Sequence, residues 1–463
     1  MPEPSRSLRQ EMVAVLRGEM RDYTRGSILR AILLLAVPMV MEMLMQSIFE
    51  LVDAYFVGKL GAAALNAVGA GASLIIIVLA IAFGMTMGVT AMVARRIGEK
   101  DPEGAGNVAF QSIMAAIGIS VPIALIGVFL APQLLRTIAT PEPVVAIGST
   151  YCAILFGSNT AIVLLFVINA IFRGAGDAVL ALKALALANL LNIILDPILI
   201  FGFGPIPAMG LTGAAVATTI GRSVGVAYQL SLLLRRKTRV RIRRPRLDLP
   251  VMGRFLGISA PAVFQMFIAT ACYLLLFALI NSFGENTAAA YTVSVRIIVF
   301  ALFPAWGMGN AAATLVGQNL GARQPGRAER SVWITCFINS GFLGLVALGM
   351  HAFALPLMEI FTQVPEVISI GKDCIRIVSY TYILFAFGMV TTQAFNGAGD
   401  TWTPTWVSFG CYWCLQLPLA WVLAYPGEWG AHGIFASIAI AQAVLAIVGV
   451  ILFRMGRWKH KTV

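Results

Sequence analysis

Residues 31–57 read AILLLAVPMVMEMLMQSIFELVDAYFV, an apolar run with no basic residue that carries three carboxylates, Glu42, Glu50 and Asp53. At 1.5 Å per residue such a run spans the roughly 30 Å hydrocarbon core of a bilayer with length to spare. Runs like it recur near 65–93, 108–131, 147–172, 180–203, 211–234, 255–283, 291–316, 333–359, 375–396, 404–425 and 431–454. They are continuously apolar, without the period-2 alternation of a strand that faces lipid on one side and lumen on the other, so they read as helices and not as barrel strands. With 59% hydrophobic and 12% charged residues, the sequence predicts an all-α integral membrane protein: twelve transmembrane helices in two pseudo-symmetric six-helix bundles. The first run follows a polar, basic arm and has no small-residue cleavage site behind it, so it reads as a retained span rather than a signal peptide.

The net charge of +12 is a matter of topology. Of the 33 lysines and arginines, 27 fall on the N-terminal side of the alternating connections. By the positive-inside rule both termini are expected in the cytoplasm of a cell whose plasma (inner) membrane holds the chain as a multi-pass protein. The densest cluster, Arg235–Arg246, reads as a retention signal after the sixth span, with a lipid or partner role as the alternative. No aromatic platform interleaves it, which argues against nucleic acid. Cys411-Tyr-Trp-Cys414 resembles a CxxC motif but lies in an apolar run with no partner pair, and His351, His432 and His460 do not cluster. No cofactor and no transition-metal site is expected.

Gly174-Ala-Gly-Asp177 returns as Gly397-Ala-Gly-Asp400, and the displacement of 223 residues also carries Pro38 to Pro261, Gly61 to Gly284, Gly98 to Gly321 and Gly210 to Gly433. The chain is therefore a duplication, with an arm 1–30, a first lobe 31–235, a basic linker 236–253, a second lobe 254–458 and a tail 459–463. Six spans per half make the repeats parallel, related by an axis along the membrane normal, with the expected cavity between the halves. A G-x-G-D string also occurs in intramembrane aspartyl proteases. Here each copy sits between two spans on the basic side, where Gly ends one helix and Asp caps the next. No hydrolase triad, HExxH or phosphate loop accompanies it, and no enzyme is expected.

The duplication is broken in its chemistry. The four acids well inside spans are Glu42, Glu50, Asp53 and Asp196, and a shift of 223 lands on Gln265, Tyr273, Leu276 and Leu419. At 100° per residue Glu42, Gln46, Glu50 and Asp53 form one polar stripe, and Asn189, Asn192 and Asp196 form another. Ionised acids in a bilayer are costly, so the stripes are expected to face each other or water. Pro38 marks a possible hinge. One reading is a cation site, with Asp53 and Asp196 as charged ligands or proton carriers, Asn192 and Thr218 as neutral oxygens, and Glu50 sharing a proton with Asp53. Glu42, Gln46, Asn189 and Gln265 would then line a polar cavity. The other reading is interhelical hydrogen bonding alone. Arg296 reads as structural, and methionines and aromatics such as Met41, Phe49 and Tyr273 as an adaptable apolar lining or as ordinary packing.

The ordered strings "LAVPMVMEMLMQSIFELVDAYFVGKLGAAALNAVG", "VARRIGEKD", "FRGAGD", "NLLNIILDP", "GLTGAAVAT", "LVGQNLGARQPGRAER" and "FNGAGD" resemble those of the multidrug and toxic compound extrusion (MATE) transporters over nearly the whole chain. The resemblance implies an antiporter that exports amphipathic, often cationic organic compounds against inward H+ or Na+ by alternating access; a monomer is expected. It implies an N-lobe site at Asp53, Asn192, Asp196 and Thr218, with Pro38 as the kinking proline, and Na+ as one possible occupant. Acids that some relatives carry in the second lobe are missing here. A lipid-linked oligosaccharide flippase of the same superfamily is the alternative; it would call for a strongly cationic cavity, whereas Arg222 and Arg296 are the only bases well inside spans. A channel would show a filter or ring of charge that repeats symmetrically.

Overall fold

In a computed structural model of the chain, the described residues are all except 1–7, 17–18, 20, 139–141, 236 and 244; Arg236 and Arg244 of the basic cluster thus lie outside them. A short helix, α1 (Leu8–Leu16), precedes the long ones. The first set is α2 (Ile28–Gly58), α3 (Ala62–Gly98), α4 (Pro102–Thr137), α5 (Glu142–Gly157) with α6 (Asn159–Ala175), α7 (Ala178–Phe201) and α8 (Leu211–Leu234). The second is α9 (Leu249–Asn281), α10 (Glu285–Gly321), α11 (Pro325–Glu359), α12 (Pro365–Ser379) with α13 (Tyr382–Ala398), then α14 (Trp402–Phe409), which runs through a π-helical stretch (Gly410–Gln416) into α15 (Leu417–Ala424), and α16 (Ala431–Arg454). Among the described residues nine of these rods are single helices long and apolar enough to cross a membrane, and two more are bent pairs. The 24-residue α8 completes the twelve.

The bent pairs depart from the unbroken spans read near 147–172 and 375–396. The bends are 43° between α5 and α6 and 58° between α12 and α13. They fall at equivalent residues. Ser158 and Thr381, related by the 223-residue shift, each leave helical geometry (φ −91°, ψ 3° and φ −96°, ψ 3°). The hydroxyl of each donates to the carbonyl three residues back, Leu155 and Val378, at 3.1 Å. Such back-bonding favours a bend without forcing one, as the same bond from Ser331 to the Ala328 carbonyl in the unbroken α11 shows.

Packing repeats with the sequence. α3 packs on α6 and α7 on α8, as α10 packs on α13 and α15 on α16. The chain divides into two compact units, one comprising the residues up to Asp22 with Met41–Val263, the other Tyr23–Val40 with Phe264–Val463. The changeovers fall inside α2 and α9, two residues beyond Pro38 and Pro261. The units therefore differ from the sequence halves by the first part of each of these helices. Two equivalent glycines account for the arrangement. In the first unit a Cβ on Gly84 would lie 2.4 Å from the backbone nitrogen of Val263; in the second, a Cβ on Gly307 would lie 2.7 Å from that of Val40. Backbone meets backbone only where a side chain is missing. Gly84→Ala and Gly307→Ala are each expected to lower stability by about 1–3 kcal/mol through overpacking, read as a fall in the thermal midpoint; unchanged midpoints would contradict the close approach.

The repeated GAGD string has the same three parts in both units. Its first glycine lets helices approach: a Cβ on Gly174 would sit 3.1 Å from the Thr90 carbonyl oxygen, and one on Gly397 would sit 2.2 Å from that of Ala313. Its second glycine closes the helix in the left-handed region, Gly176 at φ 85° and Gly399 at φ 83°. The next N–H then returns to the carbonyl five back, Asp177 to Phe172 at 2.8 Å and Asp400 to Phe395 at 3.0 Å. The aspartates do not cap the following helix as the sequence suggested. Each instead holds the segment that follows its own unit's last long helix. Asp177 Oδ2 accepts from the Arg239 N–H at 3.0 Å, with the Arg239 Nε 3.9 Å from Oδ1. Asp400 pairs with Lys461 at 3.1 Å and accepts from the Thr403 hydroxyl at 2.7 Å.

Burial pushes the Asp177 carboxyl up to about 6, against the pull of the Arg239 N–H and guanidinium. The folded chain takes up this proton as pH falls through about 6, the unfolded chain only near pH 4. The ionised carboxylate thus costs stability above that window, and stability rises as the pH falls through it. Asp177→Asn is expected to remove this slope from a plot of thermal midpoint against pH, and an unaltered slope would contradict the assignment.

Candidate cation site

The carboxylates of α2 divide into two groups according to what α6, α7 and α8 bring to them. Glu42 is buried and accepts from Asn169 Nδ2 and from Arg173 Nη1, both at 3.0 Å. Gln229 of α8 extends the chain, donating to Asn169 Oδ1 at 2.6 Å and to the Leu165 carbonyl at 3.1 Å. Glu42 therefore sits in an ion pair whose members are all buried among α2, α6 and α8, rather than on an open polar wall. One oxygen, Oε2, has no hydrogen-bond partner.

Further along α2 the second group gathers. Asp196 of α7 is fully buried and Asn192, one turn before it, nearly so. With the Asn192 amide set to suit its neighbours, its Nδ2 donates to Asp196 Oδ2 at 2.8 Å while its oxygen accepts from the Thr218 N–H at 3.0 Å and the Thr218 hydroxyl at 3.1 Å. Asp196 Oδ1 is left without a protein partner. Asn189, on the same face, donates to the Met45 carbonyl of α2 at 3.2 Å and fixes α7 against that helix. Asp53 lies within electrostatic reach of Asp196, Glu50 and Arg222, and Tyr151 of α5 within reach of Asp53, Asp196 and Arg222. Gln46 donates to Glu50 at 3.0 Å. The structure thus brings Asp53, Asn192, Asp196, Thr218 and Glu50 into one neighbourhood of the first unit. Gln265 belongs to the second unit, buried and 3.4 Å from the Ser408 hydroxyl. Pro38 stands in the part of α2 that packs with the second unit, and Arg296 is exposed on α10.

The charge balance of this group determines its chemistry. Two carboxyls, Glu50 and Asp53, lie within reach of the Arg222 guanidinium, which stands 6.0 Å from the Phe49 ring, and Asp196 lies within reach of Asp53. Carboxylates beyond the single pair that Arg222 can neutralise need a proton or a cation where water is scarce. The buried Asp196 Oδ1, with no protein donor, is the oxygen on which a proton or a hard cation can be taken up. Arg222, Tyr151 and the Asn169–Arg173–Gln229 set stand outside the two polar stripes of α2 and α7. A signal for two of them was present: Arg222 follows Thr218 by four residues, and Arg173 follows Asn169 by four, so each shares a helix face with a residue of the site.

Comparison with known proteins identifies the family. The MatE family model matches twice, over residues 38–198 and 261–422, so that the second match begins 223 residues after the first. The chain belongs to the MATE family of transporters, within the MOP superfamily, and is not an enzyme. It is 25% identical over 95% of its length to the probable multidrug resistance protein YoeA of Bacillus subtilis, covering 96% of that protein. It is also 25% identical to the FAD transporter of Shewanella oneidensis, with 86% of this chain and 88% of that protein covered. Among solved structures, a MATE transporter in the straight conformation superimposes with a TM-score of 0.88 at 28% identity, covering 96% of this chain and 98% of that one. A MOP superfamily transporter from Pyrococcus furiosus, described as having a binding pocket of reversed polarity, gives 0.89 at 27% identity, covering 98% of this chain and 99% of that one.

Proposed function

We propose that this transporter is a secondary antiporter, monomeric and with both termini in the cytoplasm, that exports amphipathic organic cations in exchange for inward H+ or Na+ by alternating access. The observation that carries the reading is Asp196: fully buried, held by Asn192 through one oxygen, and with the other unpartnered in reach of Asp53. The coupling ion is taken up among Asp53, Asn192, Asp196 and Thr218, with Glu50 and Arg222 setting the local charge. Ion loading neutralises carboxylate in a low-dielectric lobe and so stabilises one arrangement of α2 over another, with Pro38 as the point where that helix yields. Inward movement of one charge is worth about 2.3 kcal/mol per 100 mV, enough to bias a two-state helix.

The test is efflux from sealed proteoliposomes under a pH gradient or a sodium gradient imposed one at a time. Ethidium serves as a planar cation and a flavin nucleotide as the anionic alternative that the Shewanella relative's name suggests. One gradient is expected to drive ethidium outward against its concentration. Transport of the flavin in preference to ethidium, or indifference to both gradients, would contradict the reading.

A further inference from the structure

Between α8 and α9 the basic segment is not a loose connection. It is fixed to the first unit by its backbone. The Arg241 N–H donates to the Pro102 carbonyl at 3.0 Å, and the Arg246 carbonyl accepts from Gln111, a fully buried residue of α4, at 2.7 Å. Gly106 makes the approach possible: a Cβ there would lie 2.0 Å from the Arg241 carbonyl oxygen. At its far end Asp248 accepts from Asn107 at 2.8 Å and from the Val251 N–H at 3.2 Å. The carboxylate of Asp248 is thereby engaged. Glu103 is engaged as well, 2.7 Å from Arg243 Nη1.

This strap borders an open cavity of about 800 Å³ against the start of α4, whose lining includes Arg243 and Arg246, the engaged carboxylates of Glu103 and Asp248, and the apolar Leu247 and Leu249. Its position matters because it joins the ends of two membrane-spanning helices, so it lies at the level where headgroups meet acyl chains. Two of the apolar residues here are exposed, Leu247 at 66% and Leu249 at 71%. Guanidinium beside exposed leucine at a span end is the chemistry of a segment that sits in the interface of an anionic leaflet. Positive-inside bias alone accounts for the charge; it does not account for a segment hydrogen-bonded to α4 at Arg241, Arg246 and Asp248, or for a cavity lined by guanidinium and leucine together.

We propose that this strap is a binding site for an anionic phospholipid. The headgroup phosphate is taken by Arg246 and by the donors of Arg243 not directed at Glu103, and the first acyl segments lie on Leu247 and Leu249. The proposal is independent of which ion or substrate is transported.

The test uses the purified full-length transporter in detergent, titrated with phosphatidylglycerol, with phosphatidylcholine and with glycerol 3-phosphate, while the thermal midpoint is followed. Phosphatidylglycerol is expected to raise the midpoint saturably and the other two to leave it unchanged. In R243Q/R246Q the phosphatidylglycerol needed for half the effect should rise about 30-fold, since each arginine at an anionic surface contributes about fivefold. R246Q alone, which keeps the Glu103 pair, should raise it about fivefold. R136Q, at the end of α4 remote from the strap, should leave it unchanged. An equal response to phosphatidylcholine, a full response to glycerol 3-phosphate, an unshifted titration in the strap variants, or an equal shift in R136Q would each overturn the proposal.

Discussion

Asp196→Asn is expected to abolish gradient-driven efflux in proteoliposomes while leaving the protein folded and substrate affinity within about tenfold of the parent. The amide matches the carboxylate in shape and can keep a contact with Asn192, which holds Oδ2 at 2.8 Å. What it lacks is the charge that a proton or sodium ion neutralises. A ligand shifts a two-state equilibrium only by its differential affinity for the two states. An ion that no longer discriminates between them transmits nothing, however steep its gradient. Asp53→Asn should act in the same direction, because Asp53 and Asp196 lie within electrostatic reach of each other. Thr218→Ala removes only a neutral oxygen and should weaken coupling severalfold without ending it. Efflux by Asp196→Asn at the parent rate, in vesicles where both proteins insert equally, would remove Asp196 from the coupling step.

The second large effect falls on stability. Arg173→Met is expected to cost about 3–5 kcal/mol, because it leaves the Glu42 carboxylate buried with its ion-pair partner gone. Set against a typical total of about 5–15 kcal/mol, that is a sharp fall in thermal midpoint and in yield. The double variant Glu42→Gln with Arg173→Met removes both charges and should recover most of the loss, since breaking a buried pair is worse than deleting it. Equal destabilisation in the single and double variants would show that Arg173 acts by packing and not by pairing with Glu42.

Much of the architecture was legible because a bilayer leaves so few choices. A run such as 31–57 must be helical once it enters hydrocarbon, and the constant shift of 223 residues foretold that α3 on α6 would be matched by α10 on α13. The helix breaks at Ser158 and Thr381 were hidden. A hydroxyl that captures a carbonyl three residues back looks in sequence like any other serine or threonine inside an apolar run. The changeover of α2 and α9 between units was hidden as well, since nothing local to Val40 or Val263 states that Gly307 or Gly84 offers a bare backbone to pack on.

At the site, the acids announced themselves by their expense. Asp53, Asn192 and Asp196 could be picked out by helical periodicity, as could the neighbourhood of Glu50, whereas Thr218 entered as a hydroxyl in the sixth span and through the family resemblance. The division of labour among the acids was not legible, because periodicity puts Glu42 on the same stripe as Glu50 and Asp53. What separates them is the height of Arg173 on α6 and of Arg222 on α8, which is a property of packing and not of spacing.

Ion release on substrate binding addresses the central claim most directly. In weakly buffered detergent solution, with a pH indicator and a sodium-selective electrode, saturating the purified transporter with ethidium should expel a proton or a sodium ion, and Asp196→Asn should expel neither while still binding the dye. Release of the same quantity from Asp196→Asn and from Asp53→Asn would place the coupling ion elsewhere in the protein and contradict the account.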